Sequence, residues 1–282
     1  MNINLKNFFA KYAIYFVLLC LIVFFAFNSN VFLTPTNLIN VLRQTAVVGI
    51  VAVGMTFVIL TGGIDLSIGG VIACSGVICS TLMINGVHPV LAVLAAIGFA
   101  AIVGIVNAFF SHEFKLNPMI VTLATLQILK GISYILTSGI PVYGFTEKFK
   151  VIGQGYIGIV PIPVIIMIAF FIIGFIILRF TSFGQSIQVP ILLMLGLYLI
   201  FYVVLNHVSF GRYIYAIGGN EEAVRLTGIN IRKVKYKVYV LCSVLSAIAG
   251  IVLLSRVNNA QPNAGFGYEM DVITGVVLGG VS

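Results

Sequence analysis

One carboxylate, Asp65, stands where two apolar runs of nearly membrane length meet, with Gly62-Gly63 just before it and Ser67 just after. A carboxylate and a hydroxyl at that spacing can cap a helix N-terminus, or they can offer oxygens to a polar solute within a membrane. Either use must offset about 2.5–3.5 kcal/mol, the cost of inserting an Asp at the centre of a membrane helix. Two readings stay open. In one, Gly62 and Gly63 break the helix and Asp65 with Ser67 caps the next one where it lines a polar cavity. In the other, Gly-Gly-Ile-Asp-Leu-Ser is an interfacial turn between two spans.

Lys130 and Asn107 are the other polar side chains expected at membrane depth. A central cation needs a carboxylate, a cluster of carbonyls or water, because snorkelling does not easily rescue it. Asn107 reads as interhelical glue, with sugar contact as the alternative. His88, His112 and His207 fall near the ends of apolar runs and have no second ligand four residues on, so interfacial positions are expected. Cys20, Cys74, Cys79 and Cys242 lie inside apolar runs without paired spacing and read as buried structural thiols. No His-Glu-x-x-His pattern, Gly-x-Ser-x-Gly elbow or pair of intramembrane carboxylates is present, which disfavours an intramembrane enzyme.

The elements that position these groups follow from composition. Hydrophobic residues make up 61% of the 282 positions and charged residues 8%, which defines a polytopic membrane protein. About eight apolar segments run over 12–27, 46–61, 66–84, 89–110, 119–138, 162–178, 190–205 and 238–254. Runs of that length in lipid require helices, so the expected fold is all-α, with a broken helix near Gly62-Asp65. None shows the alternating pattern of an outer-membrane barrel.

The net charge of +8 does not point to nucleic acid. Six of the fifteen cations, Arg212, Arg225, Arg232, Lys233, Lys235 and Lys237, occupy one inter-span loop, which the positive-inside rule assigns to the cytoplasm. Lys6 and Lys11 assign the N-terminus to the same side, and the first apolar run, lacking a small-residue cleavage site, reads as a retained anchor. Within the cationic loop, Asn220 is a good N-cap, Glu221 and Glu222 suit a first helical turn, and Gly228 supplies a stop. A short helix is expected there, with Ala223 and Leu226 packing down and Glu221, Glu222 and Arg225 facing outward. A solvated amphipathic linker at the lipid surface is the alternative.

Four motifs carry a resemblance: GMTFVILTGGIDLS at 54–67, IVTLAT at 120–125, GRYIYAIGGNEEA at 211–223, and AQPNAGFGYEMD at 260–271 with VVLGG at 276–280. In this order they resemble the permease subunits of bacterial ATP-binding-cassette importers for monosaccharides, the ribose, xylose and galactoside permease family. PVYGFTE at 141–147 and LTGIN at 226–230 are similar to the ribose branch. The resemblance implies a multi-pass protein of the bacterial cytoplasmic (inner) membrane that forms the pathway for a monosaccharide such as ribose and works as a homodimer. Its partners would be an extracytoplasmic sugar-binding protein and a separate ATP-binding cassette subunit. It implies no enzyme activity and no cofactor in this chain, in keeping with the absence of a phosphate-binding Gly-x-x-x-x-Gly-Lys-Ser/Thr loop. The loop 212–237 becomes a cytoplasmic coupling loop whose Asn220, Glu221, Glu222, Ala223 and Gly228 meet the cassette subunit. Gly62, Gly63, Asp65, Ser67 and Lys130 become the residues of the pathway or broken helix. The family often carries a cation at the Lys130 position, favouring a helix break or cavity near Lys130-Gly131.

Two departures from the family pattern stand out. Residues 158–184 and 185–211 form a tandem pair of 27-residue segments, matching Pro163 to Pro190, Met167 to Met194 and Ser182-Phe-Gly184 to Ser209-Phe-Gly211. A single added span inverts everything downstream, so one copy is expected to be interfacial or re-entrant, or an upstream run not to cross. The family also continues past VVLGG, so the chain, read as one permease domain over 1–282, is expected to be truncated. Glu269 and Asp271 read either as acidic caps of a last helix or as pathway groups. A transport-dead permease serving as a membrane scaffold for the cassette is the alternative function.

Overall fold

The computed structural model describes residues 5–144, 156–157, 160–161 and 189–281. The helices are α1 (Leu5–Asn28), α2 (Pro35–Leu60), α3 (Ile68–Ile84), α4 (Pro89–His112), α5 (Pro118–Thr137), α6 (Val189–His207), α7 (Ser209–Gly219), α8 (Glu221–Leu226), α9 (Ile231–Val257) and α10 (Tyr268–Leu278). Among the described residues the only strand pairing is the two-residue ribbon of β1 (Tyr156–Ile157) with β2 (Val160–Pro161), plus an isolated bridge between Val142 and Ala260. The fold is all-α and built of membrane-type helices. By length and apolarity α4, α5 and α9 each suffice to cross a membrane, and α6 with α7 passes the same test as one span bent by 71°.

The chain forms two compact units, Met1–Gln44 and Thr45–Ser282. In the first, α1 ends at Asn28 and a turn leads to Pro35, which opens α2 in the N1 position that tolerates a missing N–H. Thr34 receives the Asn37 N–H at its hydroxyl. Cys20 is exposed on α1, against the expectation of a buried thiol, because its turn of the helix is bare on every described side.

The second unit holds the core. Asx and His caps start its helices: Asn117 accepts from the Met119 N–H at 2.9 Å ahead of Pro118, His88 Nδ1 from Val90 at 3.3 Å ahead of Pro89, and Asn230 from Lys233 at 3.0 Å. The central helix is α9, buried along most of its length against α3 and α4. Small residues bring the backbones together. A Cβ on Gly104 of α4 would lie 2.6 Å from Val240 Cα, and one on Gly250 of α9 would strike the Ile72 carbonyl of α3. Close approach of this kind replaces the hydrophobic drive that lipid removes. Phe57 of α2 is fully buried and meets Phe201 of α6 edge-on at 5.3 Å and stacks on Phe210 of α7 at 6.2 Å.

The second tandem copy thus supplies α6, the bend at Val208 and the start of α7. The first copy, apart from Val160 and Pro161, lies outside the described residues, as does the expected segment 162–178. The expectation of a helix break or cavity at Lys130-Gly131 is corrected as to the break. α5 runs without interruption through Lys130 and Gly131, so no helix break exists there. Lys130 instead places its ammonium 3.9 Å from the Phe266 ring centroid, and this cation–π contact supplies what a break was expected to supply.

Candidate functional site

The break between α2 and α3 is built from both sides. α2 ends in a Schellman motif: Gly62 has φ +76°, its N–H reaches the Ile59 carbonyl at 2.9 Å, and the Gly63 N–H reaches the Val58 carbonyl at 3.0 Å. Gly62 therefore answers the backbone requirement that a Cβ would strain. Asp65 follows, fully buried, and its Oδ1 accepts from both the Ser67 N–H at 2.9 Å and the Ser67 hydroxyl at 2.6 Å. Asp65 holds the start of α3, while Ser67, at the N-cap position, makes no side-chain cap of its own, contrary to the expected shared capping. Its hydroxyl turns back to the carboxylate because Oδ1 is the stronger acceptor within reach.

From Ser67 the polar chain leaves the break. The Asn107 amide on α4 donates to Ser67 Oγ at 2.8 Å, and Thr125 on α5 donates to Asn107 Oδ1 at 2.7 Å. Thr122, one turn earlier, accepts the Leu66 N–H at 3.0 Å and donates to the Pro118 carbonyl at 2.8 Å. The start of α3 is thereby tied to α4 and α5 at one irregular stretch, which satisfies most of the backbone and side-chain groups that lipid could not. Asp65 Oδ2 is buried without a hydrogen-bond partner among the described residues.

A cavity of about 40 Å³ lies beside the break, lined by Gly62, Gly63, Ser111, His112, Lys235 and Tyr239. The Ser111 and Tyr239 hydroxyls are buried there. That volume holds water but not a sugar. The structure brings Gly62, Gly63, Asp65 and Ser67 together, joined by Asn107, Thr122 and Thr125. It does not bring Lys130, which is about 12 Å further along α5 from Thr122 at 1.5 Å per residue.

The cationic loop lies at this same end of the unit. Arg232, in the first turn of α9, meets Glu113 at the end of α4 with a 2.7 Å bond. Asn220 caps α8 as expected, accepting the Ala223 N–H at 2.9 Å, and Gly228 has φ +79°. α7, an unexpected helix, occupies the first half of the loop. The faces of α8 also differ from expectation. Val224 is the buried residue, in the core with Ile217 and Ile231, whereas Ala223 is exposed and Leu226 is 90% exposed. Glu221 is not free for a partner: its carboxylate takes Lys235 of α9 at 2.7 Å. Glu222, 82% exposed, has only a 3.6 Å contact with Arg225. Capping by Asn220 sets the helical phase, and that phase turns Val224 rather than Ala223 inward.

Glu269 is buried at the start of α10, its Oε1 accepting the Gly267 N–H at 3.3 Å and its Oε2 lodged against Gly69 of α3. Asp271 is exposed.

Residues 37–282 match the family described as branched-chain amino acid transport system / permease component. The chain belongs to this permease family. The permease is also similar to the ribose import permease protein RbsC of Bacillus subtilis (strain 168), with 38% identity over 94% of this chain and 74% of the relative. Its identity to RbsC of Escherichia coli (strain K12) is 40%, over 94% of this chain and 75% of the relative. The L-arabinose ABC transporter permease protein AraH of Azospirillum brasilense is 31% identical over 94% of this chain and 71% of the relative. No solved structure matches the permease. Thr122 and Thr125 stood in the sequence only as part of a motif, since hydroxyls inside an apolar helix usually bond their own backbone.

Proposed function

We propose that this chain is the membrane-spanning permease subunit of an ATP-driven importer that moves a monosaccharide such as ribose across the bacterial inner membrane. The observation that carries the reading is the similarity, over 94% of the chain, to import permeases named for ribose and for arabinose. A separate cassette subunit hydrolyses ATP, a sugar-binding protein delivers substrate from outside, and two copies of the permease form the pathway. The N-terminus and the loop 212–237 face the cytoplasm.

The geometry supports a route for force. α8 is fastened to α9 twice, through Val224 in the core and through the pair of Glu221 with Lys235. α9 is in turn packed on α3 and α4, whose ends meet at Asp65, Ser67 and Asn107. A cassette that engages Glu222, Ala223 and Leu226 and then closes would move α8 and α9 as a rigid body against the break. Gly62, Gly63, Asp65 and Ser67 are then the irregular segment where α2 and α3 yield relative to each other.

The test is uptake of labelled D-ribose, D-xylose and L-arabinose, each in turn, by cells whose own pentose importers are deleted and which carry this chain with a cassette and a binding protein. ATP-dependent accumulation supports the reading. Absence of accumulation of all three sugars, with the chain present in the membrane, overturns it.

A further inference from the structure

Between α3 and α9, small side chains leave room. Ala73, Gly76 and Gly250 line a cavity of about 130 Å³ that is roofed by the loop between α9 and α10. A single water needs about 10–15 Å³ of such space, so this cavity is about ten times too large for a water site. Its size suits a compact solute.

The roof is fixed at three points. Ala260 exchanges both backbone hydrogen bonds with Val142, at 2.8 and 2.9 Å. Gly265 is pressed against the Gly69 carbonyl, and Phe266 lies under the Lys130 ammonium. Asn259 and Gln261 flank Ala260, the bridged residue. Both line the cavity, and neither amide has a side-chain hydrogen bond among the described residues. Each brings one acceptor and two donor hydrogens.

The chemistry of the lining selects a ligand class. No charged side chain lines the cavity, so an ion finds no counter-charge. A purely apolar occupant would leave two amides unpaired. A ring bearing adjacent hydroxyls satisfies the amides, while its C–H face rests on the aliphatic walls.

We propose that this cavity is a binding site for a neutral monosaccharide, with Asn259 and Gln261 holding its hydroxyls. This rests on the monosaccharide reading above and deepens it by naming contacts. The site lies within a single subunit, walled by α3 and α9. Lys130, through Phe266, positions the roof without touching the solute.

Two measurements test it. In the uptake assay, Asn259→Leu and Gln261→Leu should each lower the D-ribose rate about tenfold or more at normal membrane abundance, the range expected for a lost buried hydrogen bond. Gly76→Ala should lower it about two- to fivefold, because a Cβ there stays 3.7 Å from the Gly250 carbonyl and so adds bulk to the cavity without a clash. Second, the full chain carrying Cys20→Ser and Ala264→Cys, at a lining position given no sugar contact, in lipid nanodiscs, is labelled by a small hydrophilic thiol reagent, with D-ribose or glycine betaine added. D-ribose should slow labelling at least threefold and glycine betaine should not. Wild-type uptake with all three substitutions silent, or with no protection by D-ribose, overturns the site and leaves the importer reading standing. Protection without wild-type uptake of any sugar keeps the site and overturns the importer reading. If the leucine variants fail to reach the membrane, the protection measurement decides.

Discussion

The Asn107 amide of α4 donates to the Ser67 hydroxyl at 2.8 Å, and the Ser67 hydroxyl in turn donates a hydrogen bond to Asp65 Oδ1 at 2.6 Å. Through this pair the C-terminal part of one long helix holds the irregular start of another. Removing either partner should therefore cost more than the bond itself. Ser67→Ala and Asn107→Leu should each lower thermal stability in nanodiscs. Their double-mutant cycle should return a coupling of about 0.5–2 kcal/mol, the range of interhelical hydrogen bonds in membranes. An additive cycle would mean that the two side chains act independently.

Asp65 should separate geometry from charge. Asp65→Asn keeps an oxygen for Ser67 N–H and hydroxyl, so stability and uptake should fall only modestly. Asp65→Leu strands both donors in a buried site, a loss of about 1–3 kcal/mol for each buried group left unpaired. Membrane abundance by immunoblot and D-ribose uptake check both. Full activity in Asp65→Leu would reduce the break to an interfacial turn.

Gly63 has a steric reason that can be rescued. A Cβ at Gly63 would stand 2.7 Å from the Tyr239 hydroxyl and 3.3 Å from a Val58 methyl. Gly63→Ala should destabilise the permease by about 1–3 kcal/mol, as overpacking does. Tyr239→Phe removes the nearer atom and should restore at least half of the loss. Gly62→Ala faces open space but a φ of +76°, so its cost, about 1–2 kcal/mol, should be untouched by Tyr239→Phe.

The break and the loop cap were legible because their determinants are local. Two glycines before an acidic residue end one helix and start another, and Asn220 bonds a backbone group three residues on. What escaped was tertiary. Thr122 finds partners in the break and Thr125 on α4, which no periodicity reveals. The burial of Val224 over Leu226 depends on how α8 meets α7 and α9. Lys130 was expected at a helix break or cavity, and its partner, Phe266, lies on a distant loop. The helix α7 was hidden because its run mixes aromatic, glycine and charged residues, and Phe57 supplies the surface on which it packs.

Orientation follows from the loop charges and has a direct measurement. Tyr143 is exposed beside the Val142–Ala260 bridge, at the end of α5 far from the cationic loop, and Arg225 is exposed within that loop. With Cys20→Ser, an impermeant thiol reagent added to intact cells should label Tyr143→Cys and leave Arg225→Cys unlabelled until the membrane is opened. The reverse pattern would place the cationic loop outside and remove the site for a cytoplasmic cassette.

The two glutamates of α8 should behave differently, although they are neighbours in sequence. Glu221 is engaged with Lys235 inside the chain at 2.7 Å, whereas Glu222 and the bare Leu226 project outward. Glu221→Lys sets two ammonium groups together and should loosen α8 from α9. The loss should be no more than about 1 kcal/mol of stability, since the pair is partly exposed, and it should be screened by salt. Glu222→Lys and Leu226→Ala should leave thermal stability unchanged while each weakens copurification with the cassette subunit severalfold. Gly228→Val should uncouple ATP hydrolysis from uptake, because a β-branched residue resists the φ of +79° that ends the loop helix. If Glu222→Lys and Leu226→Ala left cassette binding intact, with Gly228→Val silent in uptake, the outward face of α8 would be a solvated linker and the coupling route through α9 would fall.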